Sequence, residues 1–207
     1  MSTAKRRRLP ANARREVIER AATEVFAERG YRGASIDEIA TRAGVSAPVL
    51  YDHFASKLEL YRRLLERTRN ELLEMWREHL FADEPAEVRI PRALDAWARY
   101  VEAHRHATRM FFREATGDPE AEAVQRETQA QGRVAISMLL AREPGVENLA
   151  GSADQEMLEM AAELLRAGLT GLALWWHEHP HVLREQIVRT AVNVLWTGFE
   201  RARFGEA

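Results

Sequence analysis

Residues 35–54 read SIDEIATRAGVSAPVLYDHF, and their local chemistry lays out two short helices around a tight turn. Ser35 and Glu38 stand at the S-x-x-E spacing of a capping box, which satisfies the first free amides of a helix starting at about Ile36. Ile36, Ile39, Ala40 and Ala43 recur at three- and four-residue spacing, and Gly44 follows where a left-handed residue ends the helix. Ser46 is placed to cap a second helix over 47–54, whose first turn tolerates Pro48 because amides there have no intrahelical partner. The small Ala40 leaves room for the two helices to cross steeply. The arrangement is a helix-turn-helix.

Upstream, residues 13–29 place Val17, Ile18, Ala21, Ala22, Val25 and Phe26 on one apolar stripe, with Gly30 ending it. That stripe and Tyr31, Ile36, Ile39, Val45, Leu50, Phe54 and Leu58 are expected to close a small three-helix core. Downstream, Ser56-Lys57-Leu58-Glu59 repeats the capping logic at the start of a long helix. Glu84-Pro85, Gly117-Asp118-Pro119, Glu143-Pro144-Gly145 and His179-Pro180-His181 then punctuate the chain. The expected segments are 56–81, 88–104, 106–116, 119–142, 154–178 and 181–203. No β signal stands out, so the fold class is all-α with about nine helices, and the small, polar loop from 144 to 153 is expected to be mobile.

With its flanks GYRGAS and ASKLELY, the segment over 12–65 resembles the DNA-binding region of the tetracycline-repressor (TetR) family. The residues that carry the likeness are Phe26 and Gly30 closing the first helix, the GVS turn, Tyr51-x-His53-Phe54, and Lys57 opening the fourth helix. Beyond about residue 70 the likeness is one of architecture only. The resemblance implies a transcriptional regulator and not an enzyme, with no cofactor and no metal site. It implies a helix-turn-helix domain over 12–55 and a helical ligand-binding and dimerisation domain over 56–207. By family expectation the regulator is a repressor, bound as a dimer to a palindromic operator on double-stranded DNA and released by a small-molecule effector.

Composition fits a cytoplasmic protein. The 207 residues are 46% hydrophobic, enough for a real core, and the longest apolar run, around 169–176, is far shorter than the ~20 residues that a bilayer requires. The absence of cysteine excludes disulfides, thiolate metal sites and thiol redox sensing. Charge is unevenly placed: residues 1–60 carry a net +3 and residues 61–207 a net −5. Lys5, Arg6, Arg7 and Arg8, followed by Arg14 and Arg15, make 1–11 a basic arm suited to phosphates or a minor groove, or else a solubilising tail.

The recognition helix is short, so Ala47 and Pro48, with Val49 and then Asp52, are the side chains placed to reach base edges. Between Val45 and Phe54 no Arg or Lys is available for the commonest guanine contact. Specificity would then rest on thymine methyls, on the arm, or on DNA shape. By the resemblance, Ser35, Ser46, Tyr51, His53 and Lys57 contact phosphates, which position the protein without reading sequence.

The helices at 154–178 and 181–203 carry more apolar surface than one stripe requires, with Gly168, Gly171, Ala191 and Gly198 allowing close approach, and a homodimer through them is expected. Two recognition helices about one DNA turn apart would then read a palindrome together. Candidates for an effector pocket are Trp97, Tyr100, Met110, Phe111, Met138, Leu172 and Trp176, with His104 and Arg113 as polar anchors. Methionine and aromatic side chains suit a yielding, mostly apolar cavity, and equally suit an ordinary core. Two alternatives compete: an architectural DNA-binding protein without a ligand, and a metal-dependent enzyme built on His177, Glu178, His179 and His181. The second fits poorly, because histidines two apart on a helix diverge and no HExxH spacing occurs.

Overall fold

The computed structural model describes residues 10–80, 83–141 and 155–196. Among them the chain is helical and without strands. The order is α1 (Ala11–Gly33), α2 (Ile36–Ala43), α3 (Ala47–Tyr51), α4 (Lys57–Leu80), α5 (Ala86–Ala103), α6 (Arg105–Phe112), α7 (Pro119–Leu140), α8 (Gln155–Glu178) and α9 (Arg184–Ala191), followed by a π-helical turn, Val192–Trp196. Nearly all of the basic arm, the whole 144–153 loop and the last part of the expected 181–203 helix lie outside the described residues. No helix among the described residues is long and apolar enough to cross a membrane.

The helix boundaries follow from local chemistry. Ser35 Oγ accepts the Glu38 amide at 3.1 Å, and Gly44 at φ 66° ends α2 in the left-handed conformation. The reciprocal half of that capping box is not used, since the Glu38 carboxylate pairs with Arg29 and Arg42. Ser56 Oγ accepts the Glu59 amide at 3.0 Å, and the Glu59 carboxylate accepts the Ala55 amide at 2.5 Å.

Three expectations need correction. Ser46 is the N-cap of α3 by position but its side chain caps nothing. A capping hydroxyl bonds the amide two or three residues on; Pro48, two on, has none, and the Val49 amide, three on, does not take up the Ser46 side chain. The second helix ends at Tyr51 rather than 54, because the His53 amide bonds the Leu50 carbonyl three residues back instead of continuing the four-residue ladder, and Phe54 follows buried in the core. The helix expected over 106–116 stops at Phe112, with Arg113 extended. The Gln125 side chain of α7 takes the backbone there, accepting from the Ala115 amide and donating to the Arg113 carbonyl at 2.6 Å.

Two cores result. The lower one joins α1, α2, α3 and the first half of α4, around Ile18, Val25, Phe26, Ile39, Leu50, Phe54, Leu60 and Leu65, and takes Met110 from α6, Ala115 from the connection after it, and Ala121 and Val124 from α7. The upper one gathers Leu72, Trp97, Val101, Ala173, Trp176 and Ile187 from α4, α5, α8 and α9. Helix α4 gives buried residues to both, and Phe111 of α6 packs against both.

Candidate functional site

The helix-turn-helix presents a small polar face. Ser46, Pro48, Tyr51 and Asp52 are exposed, Ala47, Val49 and His53 half-buried. Tyr51 is 52% exposed, too open for a core role, whereas Leu50 beside it is fully buried and orients the helix. Because Ser46 caps nothing, its exposed hydroxyl is able to bond a phosphate. The Ser35 oxygen is occupied by the Glu38 amide, while its O–H remains able to donate. Lys57 is more constrained: Nζ donates to the Tyr31 carbonyl at 3.0 Å and the Ala34 carbonyl at 3.1 Å, and lies 4.2 Å from the centre of the Tyr31 ring. Burial lowers its pKa. The two carbonyl bonds take two of the three ammonium hydrogens, and the side chain clasps the start of α4 to the α1–α2 corner. Arg15 lies over the Phe54 ring at 5.1 Å, which brings the start of α1 to the same side.

The second feature is an apolar slot in the helical body, with a cavity of about 70 Å³. Helix α4 supplies Leu72, Leu73 and Trp76, α5 supplies Trp97, α6 supplies Phe111 and Phe112, and α7 and α8 close it with Gly132, Ile136 and Leu169. Arg69 and Arg166 stand in its lining as the charged groups. Arg166 is held by Glu163 at 2.5 and 2.8 Å, and Arg69 by Asn70 and Gln131. An aromatic-walled slot with two guanidiniums suits a ligand that is apolar along its length and polar at one end.

Comparison with known proteins agrees with the helix-turn-helix. Residues 18–64 match the family model of bacterial regulatory proteins, tetR family. Over 197 residues the chain is 31% identical to the HTH-type transcriptional activator FasR of Mycolicibacterium smegmatis, covering 92% of this chain and 85% of that one. The chain belongs to the TetR family. As a TetR-family member it is a DNA-binding transcriptional regulator. Its fold matches a TetR-like regulator from Rhodococcus sp. RHA1 (TM-score 0.72, 22% identity, 93% of this chain and 99% of that one). It also matches FadR from Bacillus subtilis, solved in complex with stearoyl-CoA (TM-score 0.67, 16% identity, 90% and 96%).

Of the pocket residues expected from sequence, this TetR-family structure brings Trp97 and Phe111 into the slot. Leu172 and Trp176 pack in the upper core behind it, with Trp176 Nε1 donating to the Val182 carbonyl at 2.9 Å. Tyr100 packs on the same core but sends its hydroxyl to Glu71, and His104 stacks on the Tyr100 ring, exposed. Met110 is buried in the lower core, Arg113 sits at a crevice beside Tyr31 and Tyr61, and Met138 points outward, 66% exposed. Sequence reasoning passed over Arg69, Leu73, Trp76 and Ile136. Leu72, Leu73 and Trp76 do stand at helical spacing on α4, but the expectation drew on the middle helices and on Leu172 and Trp176 of α8, not on α4. The His177–His181 cluster divides: His177 meets Thr108, while His179 stacks on Trp175 and meets the His181 ring edge-on, and among the described residues no group of three or more ligating side chains is arranged to hold a metal.

Proposed function

We propose that the protein is a homodimeric, effector-responsive regulator of a palindromic operator, and that its effector is a long-chain acyl compound seated in the apolar slot. The observation that carries this reading is the course of α4. Its first turns are clasped to the helix-turn-helix by Lys57 and packed into the lower core through Leu60, Leu64 and Leu65, and its second half walls the slot with Leu72, Leu73 and Trp76. An effector that moves the upper part of α4 therefore shifts the recognition helix with it. The slot holds only about 70 Å³, so a long chain enters by parting the aromatic walls. That displacement gives the bound and free states the different ligand affinities that coupling requires, of order 1–3 kcal/mol.

Support for the acyl class comes from the slot's apolar walls and its Arg69 and Arg166, and from the stearoyl-CoA held by the fold-related B. subtilis protein. Support for the dimer comes from α8, where Met160 and Leu164 stand 61% and 73% exposed, more apolar surface than a lone chain ordinarily leaves to water. Repression is the family expectation, yet the M. smegmatis relative is named an activator. The sign of control follows from where the operator lies relative to the promoter.

The test is selection of bound duplexes from a random DNA pool at moderate salt, followed by titration of stearoyl-CoA and of free stearate against the enriched duplex. An enriched palindrome released or tightened by the acyl compound supports the reading. Enrichment of no sequence would favour the architectural alternative, to which the lack of base-reading donors on α3 lends support. A palindrome indifferent to acyl compounds removes the effector class. A reporter carrying the enriched palindrome reads repression or activation directly.

A further inference from the structure

Where α1 meets α4 and the α5–α6 junction, a polar groove of about 740 Å³ runs between the DNA-binding helices and the helical body. Five arginines and four glutamates line it, so its charges are nearly matched, and it is better described by its internal pairing than as a receptacle for an ion. At its wall stands Glu19 of α1, only 4% exposed. Its carboxylate accepts from Arg63 Nε at 2.5 Å and from Arg67 Nη1 at 3.2 Å, with Arg15 Nε at 3.5 Å. Arg67 is shared: its Nε donates to Glu71 Oε1 at 2.8 Å, one turn further along α4. Glu71 Oε2 accepts the Tyr100 hydroxyl at 2.6 Å. Tyr100 packs on the upper core one turn from Trp97, which lines the slot.

We propose that Tyr100, Glu71 and Arg67 are positioning residues that tie the effector slot to the DNA-binding domain by fixing Glu19 of α1 against α4 and α5. The links are mutually dependent. Burial works to raise the Glu71 carboxyl, and the hydrogen bonds from Arg67 and Tyr100 outweigh it and hold it below the ordinary carboxylate value. The Tyr100 hydroxyl is held protonated by burial and by its bond to Glu71. Glu19 is buried among its guanidinium partners, and Arg67, at 3.2 Å, is the one it shares with Glu71, so a slackening at Tyr100 passes through Arg67 to the Glu19 Oε2 side of α1 while Arg63 holds Oε1 at 2.5 Å. An occupant that displaces Trp97 displaces Tyr100 on the same face of α5, and this consequence rests on the effector reading given above. The polar link runs beside the packing of α4 and uses different side chains.

The test uses the full chain and the duplex enriched by selection. Tyr100→Phe keeps the ring and removes only the hydroxyl, so thermal stability should stay close to wild type while the operator Kd shifts about fivefold or more. Glu71→Gln should do the same, and the double variant should add little to either single one, the signature of residues acting in one chain. Operator affinity within about twofold of wild type for both single variants overturns the proposal, as does strict additivity. The ligand-free measurements stand apart from the effector reading. Shifted affinity in Tyr100→Phe together with a wild type indifferent to stearoyl-CoA sinks the effector class and leaves the positioning role. A responsive wild type with an unshifted Tyr100→Phe does the reverse.

Discussion

Single side chains do much of the joining in this molecule, and two can be isolated. Lys57 holds two backbone carbonyls and a ring face at the α1–α2 corner. Hydrogen bonds to a charged group are worth about 1.5–3 kcal/mol when desolvated, and this one is only partly buried, so Lys57→Met should cost about 1–2 kcal/mol in urea unfolding. A cost near zero would mean that the ammonium serves DNA alone. His177 joins α8 to α6. The Thr108 hydroxyl donates to the His104 carbonyl at 3.1 Å, so its oxygen accepts from His177 Nε2–H, also at 3.1 Å. Burial, followed by the charges of Arg105 and Arg109, pushes the His177 pKa down to about 4 from 6.5. The folded state thus favours the neutral ring, while the unfolded chain takes up a proton near 6.5. The stabilisation is complete above that pH and is lost as the pH falls towards 4. Wild type should lose stability more steeply than His177→Gln across this window in denaturant titrations, and parallel curves would show that the imidazole is not held neutral.

At the scale of helices, the caps separate structure from function. Asp118 Oδ1 accepts the Ala121 amide at 3.0 Å and caps α7, so Asp118→Ala should destabilise by about 1 kcal/mol. Ser46→Ala removes a hydroxyl that caps nothing. It should leave the melting temperature within a degree or so, a surface change of under about 0.5 kcal/mol, and should weaken DNA binding alike on all sequences. Equal stability losses in the two variants would return Ser46 to a capping role. The same comparison shows what the sequence made legible. Gly44, Ser35 and the Ser56 start of α4 act through neighbours within four residues, and the helix-turn-helix could be read from them. The end of α6 could not, because the groups that terminate it belong to Gln125, twelve residues beyond Arg113. The slot was legible in part for a related reason. Periodicity shows which residues share a face but not what the face meets, so Trp97 and Phe111 were found while Met110 went to the lower core and Met138 to the surface.

For the whole molecule, the slot is either a working cavity or a packing gap, and Gly132 separates the two. It lies in the middle of α7 and in the slot lining, and a Cβ added there meets nothing within 4 Å. Glycine inside a helix costs about 1 kcal/mol relative to alanine, so the position gives up stability, and a side chain there has open space at the slot lining. Gly132→Ala should therefore raise stability by roughly 0.5–1 kcal/mol with operator binding intact. Gly132→Leu places a branched side chain where the acyl chain would lie. It should keep operator affinity close to wild type and lose most of the response to stearoyl-CoA, read by anisotropy on the enriched duplex. If Gly132→Leu responds as wild type does, the effector binds elsewhere. If it loses operator affinity without any ligand, filling the slot is itself enough to move α4, and the displacement mechanism gains its most direct support.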